Sequence, residues 1–281
     1  MVNFTDTITK YLECLNLHLE KPSSNYLEQI CNAQLNTFPF ENISKQIYFR
    51  SHDYNNFDIP SFELFIKNYT EYNFGGTCYT LNSNLMILLR EIGFDCYHVM
   101  LGEEHIGIIV KIDNERFYID CGAAAPFFKP VCLENNLDNI SSFGKDEVYI
   151  LPEELQENSF KYVRYTNGKQ NGKTWHFNSR KEAQISDFKD VIEKSNKPNA
   201  PFMTILRCQL YQDRKQRSVS LVNNKFGIRY SNGETSVITL TTVEDIKAVL
   251  SEEFMLPKLP VKEAIEVLKT LNIDIFAHNN N

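Results

Sequence analysis

The sequence predicts an α+β protein in which helices and strands occupy separate stretches of the chain. Three observations predict it. Apolar residues recur at helical spacing through most of the first 90 positions. At Phe94 the pattern changes to short strand-like runs divided by turns. Towards the end, four more such runs with hairpin turns lead into two helical segments. The chain has 281 residues, 42% of them hydrophobic, which is ample for a large core and suggests one or two compact units.

Phe4, Ile8, Tyr11, Leu12, Leu15 and Leu19 form the stripe of a first helix over 4–19. Ser23 or Ser24 caps a second, through Tyr26, Leu27, Ile30, Cys31, Ala33 and Leu35, which ends before Pro39. Phe38-Pro39-Phe40-Glu41-Asn42-Ile43 reads as an apolar turn holding one half-buried acid that needs a partner. A third helix starts near Pro60-Ser61 and runs through Phe62, Leu64 and Phe65. It leads to Gly75-Gly76-Thr77-Cys78, and then Leu81, Leu85, Met86, Leu88, Leu89 and Ile92 mark a buried helix with Cys78 in its first turn.

Residues 96–101, 106–112 and 116–120 are an antiparallel meander, turning at Gly102-Glu103-Glu104 and Asp113-Asn114-Glu115. Further strands at 147–151, 160–165 and 173–178 make the middle third a sheet or barrel. A short helix over 187–195 and a linker, Lys197-Pro198-Asn199-Ala200-Pro201, follow. Strands at 204–210, 217–222, 225–230 and 235–240 turn at Asn223-Asn224 and Asn232-Gly233. Helices over 243–250 and 261–271 close the chain before a loose tail, Asn279-Asn280-Asn281.

Composition narrows the function. The formal net charge is −7 and no dense Lys/Arg block occurs, so a nucleic-acid partner is not expected. Arg214, Lys215 and Arg217 sit in an apparent turn, which is open to a solvated reading and to an anion site. The seven cysteines are scattered, with neither a zinc-knuckle spacing nor a CxxC pair. Cys96 and His98 share an apparent strand face, but two ligands do not make a metal site, and no metal is expected. No run approaches the ~18 apolar residues of a membrane span. Residues 1–19 are interrupted by Thr7, Lys10, Glu13 and Asn16 and do not read as a signal peptide. Free thiols then point to a reducing cytoplasm. Nothing in the sequence sets an oligomeric state.

The chemistry gathers around Cys78. Glycines before it let the backbone turn sharply and leave room for another group. Free N–H groups and the positive end of the helix dipole favour a thiolate. His105 begins one meander strand and Asp120 ends the next. A hairpin turning near Asp113-Asn114 pairs positions summing to about 225, so His105 and Asp120 are expected as same-face neighbours. A carboxylate beside an imidazole fixes its tautomer and stabilises the imidazolium. An imidazolium beside a cysteine at a helix start makes a nucleophile. Helix first and strands later, in the order Cys78, His105, Asp120, is the layout of a papain-like Cys-His-Asp core.

These residues bring a family into view. Phe38-Pro39-Phe40-Glu41-Asn42-Ile43, Gly75-Gly76-x-Cys78-x-x-x-Asn82, His105 leading an apolar strand, and Phe117-Tyr118-Ile119-Asp120-x-Gly122 occur in one order. Pro201-Phe202 and the hairpins around Asn223-Asn224 follow. Together they resemble the arylamine N-acetyltransferase family over nearly the whole chain. The resemblance implies a helical bundle over 1–93 carrying the nucleophile, a β-barrel over 94–196 carrying His105 and Asp120, and an α/β lid over 197–281. It implies that acetyl-coenzyme A acylates Cys78 and that an arylamine or arylhydrazine nitrogen then takes the acetyl group. It implies that Phe40, Thr77 and Phe202 line the acceptor site. Gly122, Ala123 and Ala124 offer backbone N–H groups for pantetheine or phosphate oxygens, or form a simple close-packed turn. Lys215 and Arg217, beside Tyr211, are candidates for the nucleotide phosphates.

The chain departs from the family around the glycines. Phe74 stands where the family keeps an Arg, so Glu41 lacks its usual partner and is expected to be exposed, protonated or paired with Arg50 or Lys45. Tyr79-Thr80 replaces Phe-Glu. Cys121-Gly122-Ala123-Ala124 replaces Val-Gly-Phe-Gly, which predicts a roomier or reshaped pocket. The short link from Tyr97 to His105 removes part of one cleft wall. Two other readings share these residues: an amide synthase acting on a carrier-bound thioester, and a ligand-binding family member with little turnover.

Overall fold

The computed structural model describes residues 4–51, 59–134 and 139–277; the tail expected at 279–281 lies outside them. Four helices build the first layer: α1 (Phe4–Cys14), α2 (Ser24–Thr37), α4 (Phe62–Tyr72) and α5 (Cys78–Glu91). Their stripes meet around Tyr11, Leu27, Ile30, Phe65, Leu85 and Leu88. Ser23 and Ser61 cap α2 and α4 by accepting the N–H groups of Tyr26 and Leu64. The first helix stops short of its predicted end because Asn16 takes a left-handed conformation, φ 55°. Between α2 and α4 lies α3 (Ile43–Ser51), where the sequence predicted only a turn.

The middle of the chain forms two four-stranded antiparallel sheets. The first runs in the order β2 (Asp95–Leu101), β3 (His105–Ile112), β4 (Glu115–Ile119), β5 (Val131–Cys132). The second runs β6 (Ile140–Phe143), β7 (Asp146–Pro152), β8 (Ser159–Thr166), β9 (Lys169–Asn178). Tyr97, Val99, Ile109, Phe127, Val148, Tyr162 and Phe177 pack in the core they share. The predicted barrel does not close among the described residues. Pro126 and Pro130 flank the chain entering the two-residue β5, and proline has no N–H with which to extend a ladder. The sheets touch where the Gly102 N–H donates to the His176 carbonyl, 3.1 Å.

The last sheet has the order β1 (Phe40–Glu41), β10 (Arg207–Gln212), β11 (Arg217–Val222), β12 (Lys225–Tyr230), β13 (Thr235–Thr239). Its first strand comes from the N-terminal segment, with Phe40 opposite Gln209. Helices α7 (Val243–Glu252) and α8 (Val261–Thr270) cover it, and α3 packs beside α8. The short helix α6 (Lys189–Ser195) follows a 3-10 turn, Ile185–Phe188, and leads towards Phe202. Among the described residues, no helix is long and apolar enough to cross a membrane.

Candidate active site

The two glycines before Cys78 are fixed by separate demands. A Cβ on Gly75 would lie 1.9 Å from the Pro39 carbonyl oxygen, so no larger residue fits. Gly76 has φ +141°, and a Cβ there would meet Thr80. This backbone is tied to β1: the Glu41 N–H donates to the Gly76 carbonyl, 3.0 Å, and the Gly76 N–H to that of Pro39, 3.3 Å. Cys78 is thereby set as the first residue of α5, half-buried at the wall of a cleft.

The β3–β4 hairpin brings the imidazole and the carboxylate together. Asp113 and Asn114 have φ 50° and 69°, the left-handed pair a two-residue hairpin turn needs. Ile112 pairs with Glu115 and Ile108 with Ile119. That register is displaced from the expected one and sets Asp120 diagonal to His105, not directly opposite. Parity is unchanged, so the two share a face, and diagonal partners are within reach of long side chains. His105 Nε2 lies 2.7 Å from Asp120 Oδ2.

Asp120 is fully buried and accepts three further hydrogen bonds. Tyr118 Oη donates to Oδ2 at 3.0 Å; Asn82 Nδ2 and the Gly122 N–H donate to Oδ1 at 2.8 and 3.1 Å. Gly107 makes room for Tyr118, since a Cβ there would lie 2.7 Å from the ring. Asn82 also accepts from the Cys121 N–H and donates to the Ile106 carbonyl, which fixes its amide. A carboxylate surrounded by donors is acceptor only, so His105 Nε2 carries hydrogen and Nδ1 is left for the thiol. Burial opposes a charge on His105, but the Asp120 carboxylate and its hydrogen bond, helped by Cys78, raise the imidazole to about 10.

Cys78 and His105 open on a cleft of about 700 Å³. Phe40, Thr77, Phe202, Gly122, Ala123 and Ala124 line it. The Gly122 N–H, however, is committed to Asp120, and a Cβ on Gly122 would lie 2.8 Å from the Cys78 Cα. Its close packing against α5 is what the glycine provides. Lys215 and Arg217 are not part of the lining. Lys215 ends an exposed 3-10 turn, and Arg217 pairs with Glu253 at 2.9 Å. Tyr211 is buried against Phe128 and Phe143. The cleft's positive charge comes from residues not placed there from the sequence: Lys45, Arg164, Lys173, Lys194 and Arg207. Arg164 pairs with Asp146, and Lys173 with Glu104. Lys45 is 6% exposed and donates to Ser195 Oγ, 3.0 Å. Burial lowers its ammonium to about 8, against the pull of Cys78. Among the described residues, no group of three or more His, Cys, Asp or Glu is placed to hold a metal ion.

A family model described as N-acetyltransferase matches residues 25–262, which include the whole site. The chain belongs to that family. It is an acyltransferase of the arylamine N-acetyltransferase kind. Solved structures agree on the fold. An arylamine N-acetyltransferase from Salmonella typhimurium superposes with a TM-score of 0.78 at 16% identity, covering 95% of this chain and 100% of that one. The Mycobacterium marinum enzyme in complex with CoA gives 0.74 at 15%, covering 94% and 98%. A Bacillus cereus enzyme described as having a Cys-His-Glu catalytic triad gives 0.70 at 19%, covering 89% and 98%. No curated protein matches the chain.

Beside the glycines, the structure shows what surrounds Phe74 and Glu41. Phe74 is 4% exposed and packs in a third core, between the last sheet and helices α7 and α8, with Tyr48 and Tyr72 at ring centroids 5.8 and 5.3 Å away. Glu41 is neither exposed nor paired with Arg50 or Lys45. It is fully buried and accepts the N–H groups of Gly75 and Ser44, at 3.0 and 2.8 Å. Burial raises its carboxyl, and the Ser44 hydroxyl together with these backbone donors opposes the rise. Arg50 is exposed at the end of α3. The first turn of α3 and Gly75 thus supply donors to Glu41 where the resemblance led one to expect an arginine.

Proposed function

We propose that the protein moves an acetyl group from acetyl-coenzyme A to an arylamine or arylhydrazine nitrogen in a ping-pong cycle. Cys78 attacks the thioester carbonyl, its carbon–sulfur bond to coenzyme A breaks, and coenzyme A leaves as the thiol with the proton His105 took from Cys78. The amine then attacks the Cys78 thioester. His105 takes the proton of the incoming amine and returns one to the departing Cys78 sulfur, while Asp120 holds its Nε2. The observation that carries this reading is the buried His105–Asp120 pair opening, with Cys78, on one cleft. The cationic groups of Lys45 and Arg207, which have no carboxylate partner among the described residues, suit an anionic thioester. A cytoplasmic setting suits the free thiols.

Intact mass after incubation with acetyl-coenzyme A tests it. One acetyl group on Cys78, removed by an aromatic amine or hydrazine, is the expected result. No mass gain from acetyl-coenzyme A, with fast alkylation of Cys78 retained, would transfer the chemistry to a carrier-bound donor. Alkylation no faster than at the other cysteines would leave a ligand-binding protein.

A further inference from the structure

The one tryptophan of the chain lies flat on the catalytic-site imidazole. Trp175, on β9, stacks on His105 with ring centroids 4.4 Å apart and planes 4° from parallel. The arrangement is held from several sides. Trp175 Nε1 donates to Glu104 Oε1, 2.9 Å, and Lys173 Nζ lies 2.7 Å from both oxygens of that carboxylate. The Glu104 carbonyl accepts from Tyr79 Oη, which ties the bracket to the residue after the nucleophile. Gly102 leaves the space: a Cβ there would lie 2.6 Å from Trp175 Cδ1. Tyr162 packs on the indole at 5.0 Å.

We propose that Trp175 is a positioning residue for His105, its indole face fixing the ring plane and favouring the charged imidazole. The hydrogen bond from Nε2 to Asp120 lies in the plane of the imidazole. One such bond leaves the ring free to roll about the N–O line. A flat surface against its face removes that freedom, so the two constraints together aim Nδ1 at one place. An aromatic face also attracts a cation more than a neutral ring. The inference rests on the Cys78–His105–Asp120 reading but not on the identity of the donor thioester.

The test uses the full chain. Iodoacetamide alkylation of Cys78 is followed by mass from pH 5 to 9 in wild type, Trp175→Phe and Trp175→Leu. Trp175→Leu should alkylate about tenfold more slowly at pH 7, and its pH profile should move towards that of an ordinary thiol. Trp175→Phe keeps a face but loses the Glu104 bond, and should fall about threefold with a smaller displacement. In wild type, the single indole's fluorescence should change as pH rises through about 10, where His105 loses its proton, and Asp120→Asn should move that change to lower pH. An unchanged rate and profile in Trp175→Leu would overturn the proposal. So would a loss uniform across pH, which is what a merely structural role gives. If Trp175→Leu does not fold, Trp175→Phe and the wild-type fluorescence titration decide on the same criteria. A wild type that alkylates rapidly but takes no acetyl group from acetyl-coenzyme A would sink the proposed donor and leave this inference standing.

Discussion

Two buried carboxylates flank the start of α5, and they are held in different ways. Asp120 is reached by His105, Tyr118, Asn82 and the Gly122 N–H, three side chains and one backbone group. Glu41 is reached by backbone N–H groups and the Ser44 hydroxyl, and no Lys or Arg pairs with it among the described residues. In the proposed cycle the partner of Asp120 changes its charge, which asks for these side chains. At Glu41 the need is for an acceptor that closes off the N–H groups of α3 and Gly75, and a counter-ion is dispensable. That is why the arginine expected before the glycines can give way to Phe74 and an aromatic cluster without disturbing Cys78.

The largest effects should fall on the first centre. Cys78→Ala should abolish acyl transfer, while Cys96→Ala and Cys132→Ala should leave it intact. Asp120→Asn keeps the shape but offers an amide where His105 needs an acceptor, and transfer should fall by about 10³–10⁴-fold. The same change alters stability with pH. His105 is raised from 6.5 to about 10, so its contribution is complete below pH 6.5 and is lost as pH rises through 10. Denaturant melts at pH 6 and pH 10 should show that loss in wild type and little of it in Asp120→Asn. Equal pH dependence in both would deny the ion pair.

The second centre should behave as a folding element. Glu41→Ala strands the Gly75 and Ser44 N–H groups and should cost about 3 kcal/mol by denaturant unfolding; Glu41→Gln keeps one acceptor and should cost about 1 kcal/mol. Transfer per folded molecule should stay within about threefold in both. A Glu41→Gln protein as inactive as Asp120→Asn would erase the distinction between the centres. Phe74→Arg sharpens it further. It removes a ring from the core and buries a guanidinium, and should cost about 3 kcal/mol despite restoring the family residue. If Glu41→Gln worsened that loss, the arginine would be pairing with Glu41 after all.

Much of the first centre was legible because it is local. Alternation and the Asp113-Asn114 turn specify the hairpin, and a hairpin decides which residues share a face even when its register is displaced. Asn82 lies four residues after Cys78, one turn along α5, so its direction was readable too. The α3 helix was missed because it is short and its apolar residues Ile43 and Ile47 answer to the third core, built largely from residues beyond 205. Closure of a barrel depends on which sheet edges meet, and Pro126 and Pro130 gave the only local hint against it. Trp175 and Arg207 could not be placed at the cleft from sequence, since strands far apart in the chain bring them there.

Lys45 belongs to neither carboxylate, and this makes it the finest probe of the comparison. Its ammonium is buried beside the cleft, with Ser195 Oγ as its hydrogen-bond acceptor. A lysine lowered from 10.5 to about 8 costs stability while it stays charged, and the cost fades as pH rises from 8 to 10.5, where the unfolded chain also loses its proton. Lys45→Met should therefore gain about 2 kcal/mol at pH 7, and the gain should shrink by pH 10. Activity should move the other way. With one cation fewer to meet an anionic thioester, KM for acetyl-coenzyme A should rise about threefold while kcat changes less. A stabilised variant with unchanged KM would show that Lys45 is a burden on the fold with no return at the cleft. A destabilised one would mean that the hydrogen bond to Ser195, which joins α3 to the end of α6, outweighs the burial of the charge.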